Sequence, residues 1–234
     1  MSDGCPFELC DGSGFLYDEE TNTAYDCRCR RQRVARAKSR NLSAVIPRRY
    51  RDVSFDRPPV TEIEPPIVAA TRRFAATIDD QLDHGRGLWF MGPVGTGKTT
   101  LAMLVSKAAI EAGRAVAIYS LPRLLNEIRN TFGPANTFGH ASSYLGLLDR
   151  LRAVDLLHID DVGAERTTDW VLEELYSVVN ARYEDERSIM ITTNIDNLEE
   201  LRQQIGARIV SRLTEICDQL PVLGHDHRMD LRTA

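Results

Sequence analysis

Between Gly92 and Thr100 the chain reads Gly-Pro-Val-Gly-Thr-Gly-Lys-Thr-Thr, and Gly92–Thr99 satisfies G-x-x-x-x-G-K-[ST] at every fixed position. Each residue type in that spacing has a task when the guest is a chain of phosphates. Gly92, Gly95 and Gly97 let the backbone curl until successive N–H groups point into one hollow. Pro93, Val94 and Thr96, with Thr100 in the first turn of the next helix, complete the set expected to line the phosphates. A helix starting at Lys98 adds the partial positive charge of its N-terminus. The Lys98 ammonium is suited to neutralise β- and γ-phosphates, and the Thr99 hydroxyl to hold Mg²⁺. A chance glycine-rich turn is the competing reading. An apolar strand before the loop and a helical pattern after it weigh against that, so ATP or GTP with Mg²⁺ is the expected ligand.

Leu156-Leu-His-Ile-Asp160-Asp161 is an apolar run that ends in two carboxylates. Asp160 is expected to hold Mg²⁺ together with Thr99, and Asp161 to orient or deprotonate the attacking water. Asp160 could instead cap the following turn, a weaker reading with a phosphate loop upstream. His158, inside the strand, reads as a core histidine. Ile189-Met-Ile-Thr192-Thr193-Asn194 is a second buried run with a polar end. As a neighbour of the Asp160 strand it would aim Asn194 at the γ-phosphate; in isolation an Asn after a strand is a turn former.

Four of the five cysteines fall in Cys5-x4-Cys10-x16-Cys27-x-Cys29. In a cytosolic chain, four thiols in so short a window favour a tetrahedral Zn²⁺ site over disulfides. A segment of this length cannot build its own hydrophobic core, so the metal would supply much of its folding energy. The spacing is irregular, since neither pair is C-x2-C. Cys217, the fifth, reads as core packing.

The elements that must position these residues follow from periodicity. An amphipathic helix is predicted over about 67–84, ending near Gly85, and a strand at Leu88–Met91 leads into the phosphate loop. The helix from Lys98 to about Ala112 carries Leu101, Leu104, Val105 and Ala108 on one stripe and stops at Gly113. Ala115–Tyr119 is a strand, and a helix over 121–132 buries Leu121, Leu124, Leu125, Ile128 and Phe132. Between the strands Leu156–Asp160 and Ile189–Thr192, a helix turns Val171, Leu172, Leu175, Val178 and Val179 inward. Two short helices near 197–204 and 206–217 and a strand near 219–223 complete the pattern. Alternating strands and helices predict an α/β fold with a mostly parallel sheet flanked by helices.

Three regions are expected: a cysteine module at 1–30, a basic helix and Pro-containing linker at 31–66, and the nucleotide-binding domain at 67–234. Hydrophobic residues at 43% and charged residues at 27% are ordinary for a soluble globular protein. No apolar run reaches the length of a membrane span, and the N-terminus lacks the pattern of a signal peptide, so a cytoplasmic location without membrane contact is expected. The net charge of −5 is unevenly spread: −7 over residues 1–27, +9 over 28–57 and −7 over the rest. Attraction to nucleic acid would therefore be strongest at 28–57, with a solvated basic connector as the equal alternative.

Taken together, these residues resemble the AAA+ ATPases, and within them the DnaC/DnaI/IstB-like group. The resemblance covers about residues 47–228 and extends to Tyr119-Ser-Leu-Pro-Arg-Leu-Leu125, Val154–Glu165, Val179-Asn-Ala-Arg-Tyr183, Thr192-Thr-Asn194 and Gly206–Cys217. It implies Lys98 and Thr99 as Walker A, Asp160 and Asp161 as Walker B, and Asn194 as sensor 1. It also implies Arg212 as an arginine finger reaching a neighbour's ATP site, with Arg208 as a second candidate; an ion pair on the helix surface is the alternative for either.

Where broader AAA+ patterns carry Asp-Glu this chain has Asp-Asp, which resembles the helicase-loader variant and implies slow turnover. Only 22 residues follow Arg212, too few for a helical lid, so the nucleotide is expected to lie open on one side until a second subunit completes the site. A homo-oligomer follows. The cysteine-bearing N-terminus is similar to that of helicase loaders, which implies docking on a replicative DnaB-type helicase. Contact with single-stranded DNA is expected at Arg123, Arg129 and Asn130 or at the 28–57 segment. The implied function is thus an ATP-switched helicase loader. A transposase helper of the IstB type is the alternative, and a non-hydrolysing ATP-binding adaptor a further one. A small-molecule kinase is disfavoured because no Arg-rich lid segment follows the Asp-Asp strand.

Overall fold

The fold, a computed structural model, is described over residues 5, 7–38, 46–131, 144–163 and 168–227. At the N-terminus β1 (Phe15–Asp18) and β2 (Thr23–Asp26) form an antiparallel hairpin, followed by helix α1 (Arg28–Lys38). Helices α2 (Pro65–Ala76) and α3 (Ile78–Asp83) precede β3 (Gly87–Met91), and α4 (Lys98–Glu111) follows it. Then come β4 (Val116–Ser120), α5 (Leu121–Asn130), α6 (Tyr144–Ala153) and β5 (Leu156–Asp160). The chain continues through α7 (Asp169–Glu184), β6 (Ser188–Thr193), α8 (Leu198–Ile205), α9 (Ala207–Ile216) and β7 (Cys217–Pro221).

Strands β3 to β7 form one five-stranded sheet in the order β4-β5-β6-β3-β7, every pairing parallel. Covering both faces with helices explains why the strands read as continuous apolar runs, with all five residues of β3 and all six of β6 buried. Alternation splits them between two cores. Trp89, Met91, Leu157 and Ile159 join the core under α5–α9, while Leu88, Phe90 and Leu156 join that under α2–α4. In β5 the same parity turns His158 and Asp160 toward α4. The chain leaves β3 for β4 at the far edge, whereas β7 returns to its other side, so the loop after β3 lies at the switch point where open α/β sheets bind ligands.

Arg182 of α7, within the Val179–Tyr183 motif, proves to be a structural staple. Fully buried, its guanidinium donates to the carbonyls of Leu151, Val154, Asp155 and Ser188 at 2.5 to 3.2 Å, tying the end of α6, the start of β5, α7 and β6 together. Burial lowers its pKa to about 9, still charged at neutral pH.

Some expectations change. The single helix predicted over 67–84 is two, because Thr77 leaves helical geometry at φ −108°, ψ 28° and bonds its hydroxyl back to the Arg73 carbonyl. The α4 stripe is broader than predicted, with Ala102, Met103 and Ser106 buried as well. Helix α6 and the β1–β2 hairpin were not anticipated. Cys217 opens β7 rather than ending a helix, and it is buried, its thiol hydrogen-bonded to the Ile189 carbonyl. Phe132, Ala164, Glu165 and part of the 28–57 basic segment lie outside the described residues.

Candidate functional site

The loop Gly92–Gly97 joins β3 to α4, with Gly97 as the N-cap at φ 98°. At two of its glycines a side chain would be both crowded and strained. A Cβ on Gly92 would lie 2.3 Å from the Val222 carbonyl oxygen, and one on Gly95 would run into the Asp226 carboxylate at 1.9 Å; both have positive φ. The chain after β7 thus packs on the phosphate loop, fixed by Val222 N–H to the Met91 carbonyl at 2.7 Å and His227 N–H to the Gly95 carbonyl at 3.2 Å. Lys98 is buried, its ammonium donating to the carbonyls of Gly92 and Pro93. Thr96 is buried too, donating to the Pro93 carbonyl.

From the neighbouring strands come the acids. Thr99 donates its hydroxyl to Asp160 Oδ1 at 3.0 Å, and Thr192 of β6 donates to the same oxygen at 2.6 Å. Thr192 in turn accepts the Asp161 backbone N–H at 2.9 Å. Asp161 adopts φ 59°, the left-handed region that Asp tolerates at a cost of about 1 kcal/mol. That turn sets its carboxylate beside Asn194, whose Nδ2 donates to Asp161 Oδ1 at 3.3 Å. Lys98, Thr99, Asp161 and Asn194 line one cleft of ≈ 510 Å³ with Gly95, Gly97, Thr100, Arg49, Tyr50, Pro59 and His227. Thr99 and Asp160 suit Mg²⁺: both offer hard oxygens, and their 3.0 Å separation matches the cis edge of about 2.9 Å in an octahedron of Mg–O bonds near 2.05 Å.

Several residues of this site escaped the sequence reading. Thr192 was noted only as part of a motif, yet it fixes both acids. His227 is buried against the loop, its Nδ1 3.2 Å from Glu62 Oε2, and it lines the same cleft. Arg49, Tyr50 and Pro59 come from the segment read as linker. A proline-punctuated stretch signals extended backbone and gives no sign of which cleft it will line.

Arg212 is not among the residues lining the cleft. It lies on α9 with its guanidinium over the rings of Tyr176 at 4.9 Å and Tyr183 at 5.4 Å, donating to the Tyr176 hydroxyl and the Arg208 carbonyl. Arg208 is exposed on the same helix. Arg123, Arg129 and Asn130 are exposed on α5, opposite buried Leu124, Leu125 and Ile128. Arg129 stacks over Trp170 of α7 at 4.7 Å.

The four N-terminal cysteines converge. Their sulfurs all lie within 4.8 Å of one another, with Cys5–Cys27 at 3.7 Å and Cys10–Cys29 at 3.5 Å. These separations rule out disulfides in this arrangement and approach the edge of about 3.8 Å in a tetrahedron of Zn–S bonds near 2.3 Å. Cys29 sits in the first turn of α1 and Cys27 just before it, so the basic helix begins inside the cysteine module. Burial, with hydrogen bonding to the other thiols, pushes Cys29 up to about 12. At Cys5 burial opposes ionisation, but backbone N–H groups of Leu9, Cys10 and Phe7 outweigh it and hold the thiol at about 6. Among the described residues, the side chains inside the module are the cysteines and Leu16; Phe7, Leu9, Phe15, Tyr17 and Tyr25 are exposed. Among the described residues no helix is long and apolar enough to cross a membrane.

The structure is similar to that of the DnaC helicase loader (TM-score 0.63, 24% identity, 76% of this chain and 100% of that one). It is also similar to that of DnaI (TM-score 0.58, 20% identity, 77% and 96%). A third likeness is to the replication initiator DnaA bound to AMPPCP and single-stranded DNA (TM-score 0.57, 18% identity, 74% and 50%). At these identities the likeness is one of fold. In sequence the chain is 29% identical over 124 residues to the replicative helicase loader DnaC of Escherichia coli K12, covering 53% of this chain and 48% of that protein. It is 24% identical over 165 residues to DnaC of Buchnera aphidicola subsp. Acyrthosiphon pisum, covering 70% and 64%. The chain thus spans about half to two thirds of the length of the curated relatives it matches. The model of the IstB-like ATP binding proteins matches residues 31–233, and with its phosphate loop, paired acids and parallel sheet in register the chain belongs to that family, a DnaC/DnaI/IstB-like AAA+ ATPase.

Proposed function

We propose that this chain is an ATP-dependent helicase loader: a cytoplasmic homo-oligomer that grips a replicative DnaB-type ring helicase, contacts single-stranded DNA and uses slow ATP hydrolysis as its switch. The reading divides the chain into a zinc-holding module at 1–30, a basic helix and linker at 31–66 and the ATPase domain at 67–234. The observation that carries it is the connected set Thr99–Asp160–Thr192–Asp161–Asn194, which joins α4, β5 and β6 around one cleft. Such an arrangement serves phosphoryl transfer to water.

Lys98 and the loop N–H groups bind the β- and γ-phosphates. Thr99 and Asp160 would hold Mg²⁺, which would supply positive charge to the phosphate oxygens. Asp161, pinned by Asn194, accepts a proton from the water that attacks the γ-phosphorus as ADP departs. Asp is one methylene shorter than the Glu usual at this place, so the carboxylate stands farther back and turnover is slow. Arg212 of a neighbouring copy faces the γ-phosphate across the subunit boundary, its guanidinium pre-oriented by Tyr176 and Tyr183.

Four thiols at tetrahedral spacing support Zn²⁺ at Cys5, Cys10, Cys27 and Cys29. The aromatic side chains exposed around them, with the seven acidic groups of residues 1–27, suit docking on a partner protein rather than on nucleic acid. Arg123, Arg129 and Asn130 offer positioned donors to a phosphate backbone. A transposase-helper role is the second reading, favoured by the family model itself. A pull-down against a replicative ring helicase and a transposase, each with and without ATP, separates them. ATP-dependent capture of the helicase, lost in Lys98→Ala, is expected; capture of the transposase alone would overturn the loader reading.

A further inference from the structure

One buried polar group next to the acids has no hydrogen-bond partner among the described residues. His158 of β5 is wholly inaccessible, and its Nε2 is unpaired. The ring occupies the α4-facing side of the strand, two residues before Asp160. Its Nδ1 is 3.0 Å from the Ser106 hydroxyl, and its Nε2 is 4.0 Å from Asp160 Oδ1. Ser106 stands seven residues beyond Thr99, on the same face of α4. Two hydrogen bonds, Thr99 to Asp160 and Ser106 to His158, thus join one helix to one strand, with the 4.0 Å gap between His158 Nε2 and Asp160 Oδ1 lying between them.

Burial without a partner is costly for a polar group, which asks what the Nε2 is for. Complete burial favours the neutral imidazole, which carries one proton. A lone pair on Nε2 would face a carboxylate oxygen, whereas a proton there faces it favourably. The Ser106 hydroxyl can donate to Nδ1 and so fix the proton on Nε2. Meanwhile Asp160 Oδ1 accepts from Thr99, the hydroxyl expected to turn to Mg²⁺. When it turns, Asp160 loses one of its donors.

We propose that His158 is a positioning residue for Asp160: its Nε2–H replaces the Thr99 hydroxyl at Oδ1 when Thr99 engages Mg²⁺. An approach of about 1 Å closes the 4.0 Å gap to an ordinary hydrogen bond. Ser106 supports the histidine from behind and holds its tautomer. The inference rests on the nucleotide-site reading above and assigns this chain's own residues to it.

The test is binding of a fluorescent ATP analogue to the full chain across a Mg²⁺ titration, read without hydrolysis. His158→Met keeps apolar volume and removes the donor; His158→Gln keeps an N–H at comparable reach. His158→Met is expected to raise the Mg²⁺ concentration for half-saturation about tenfold, in the range for loss of an outer partner of a metal ligand, with Mg²⁺-free affinity unchanged. His158→Gln is expected to stay within about threefold of the parent, and Ser106→Ala to fall between the two. An unchanged Mg²⁺ requirement in His158→Met, equal shifts in the Met and Gln variants, or loss of Mg²⁺-free binding in His158→Met would each overturn the proposal. Failure of the parent chain to bind nucleotide at all would instead overturn the site reading on which it rests.

Discussion

The molecule holds two constellations built on opposite principles. In the ATPase core, the functional side chains are held by a sheet whose strands are buried on both faces. Asp160, Asp161 and Asn194 leave the ends of adjacent strands, and Thr192 locks the acids before any ligand is considered. In the cysteine module the order runs the other way. Two four-residue strands with exposed side chains and a first helical turn surround four sulfurs, and little else is buried. The contrast teaches that a site can be the product of a core or its substitute. Contact between the regions is modest: Arg31 meets Asp79 at 3.2 Å in an exposed ion pair worth at most about 1 kcal/mol, and Ala35 of α1 joins the core cluster.

The sharpest way to break the comparison is to withdraw metal. Chelation is expected to abolish protection of backbone amides in residues 5–30 while the core keeps its melting temperature, as read by hydrogen exchange and calorimetry. A module that stays protected without metal would mean that its few apolar side chains suffice.

Within the core, Asp161→Asn is expected to lower ATP hydrolysis by about 10² or more with nucleotide affinity within threefold, since the amide keeps the bond to Asn194 but accepts no proton. Steady-state turnover and equilibrium binding on the same sample check it. Arg182→Met probes the scaffold rather than the site. Leaving four buried carbonyls without their donor is expected to destabilise the core by about 3 kcal/mol or more, seen in the denaturation midpoint, with metal content unchanged. Thr192→Val is the smaller perturbation. It removes a hydroxyl that donates to a carboxylate at 2.6 Å, worth about 1.5–3 kcal/mol, so turnover is expected to fall about tenfold or somewhat more.

The same contrast governs what the sequence revealed. Central parallel strands announce themselves as apolar runs, so β3, β5 and β6 were readable within a residue or two, and with them the loop and acids at their ends. Elements that owe their form to context were not. The β1–β2 hairpin has no fully buried residue, and its two runs, Phe-Leu-Tyr-Asp and Thr-Ala-Tyr-Asp, are too short and too mixed in polarity to mark a half-buried strand. Helix α6 buries only Leu147 and Leu151 and includes Gly146, too faint a period to stand out. Thr192 and His227 were missed for another reason. Thr192 gains its meaning from Asp160, thirty-two residues earlier, and His227 from Gly95 and Glu62, far back in the chain. Neither carries a local signature. Cysteine spacing pointed to a shared site although no pair is C-x2-C, because the turn after Cys10 and the start of α1 bring the thiols together regardless of spacing.

The central claim is that the nucleotide site is built by the fold and does not need the cysteine module. Its most direct test is ATP affinity of the full chain before and after zinc is removed by a chelator, with Mg²⁺ restored in excess. Affinity unchanged within about twofold, while residues 5–30 lose their protection, is the expected result. A loss of affinity in step with the loss of zinc would contradict it.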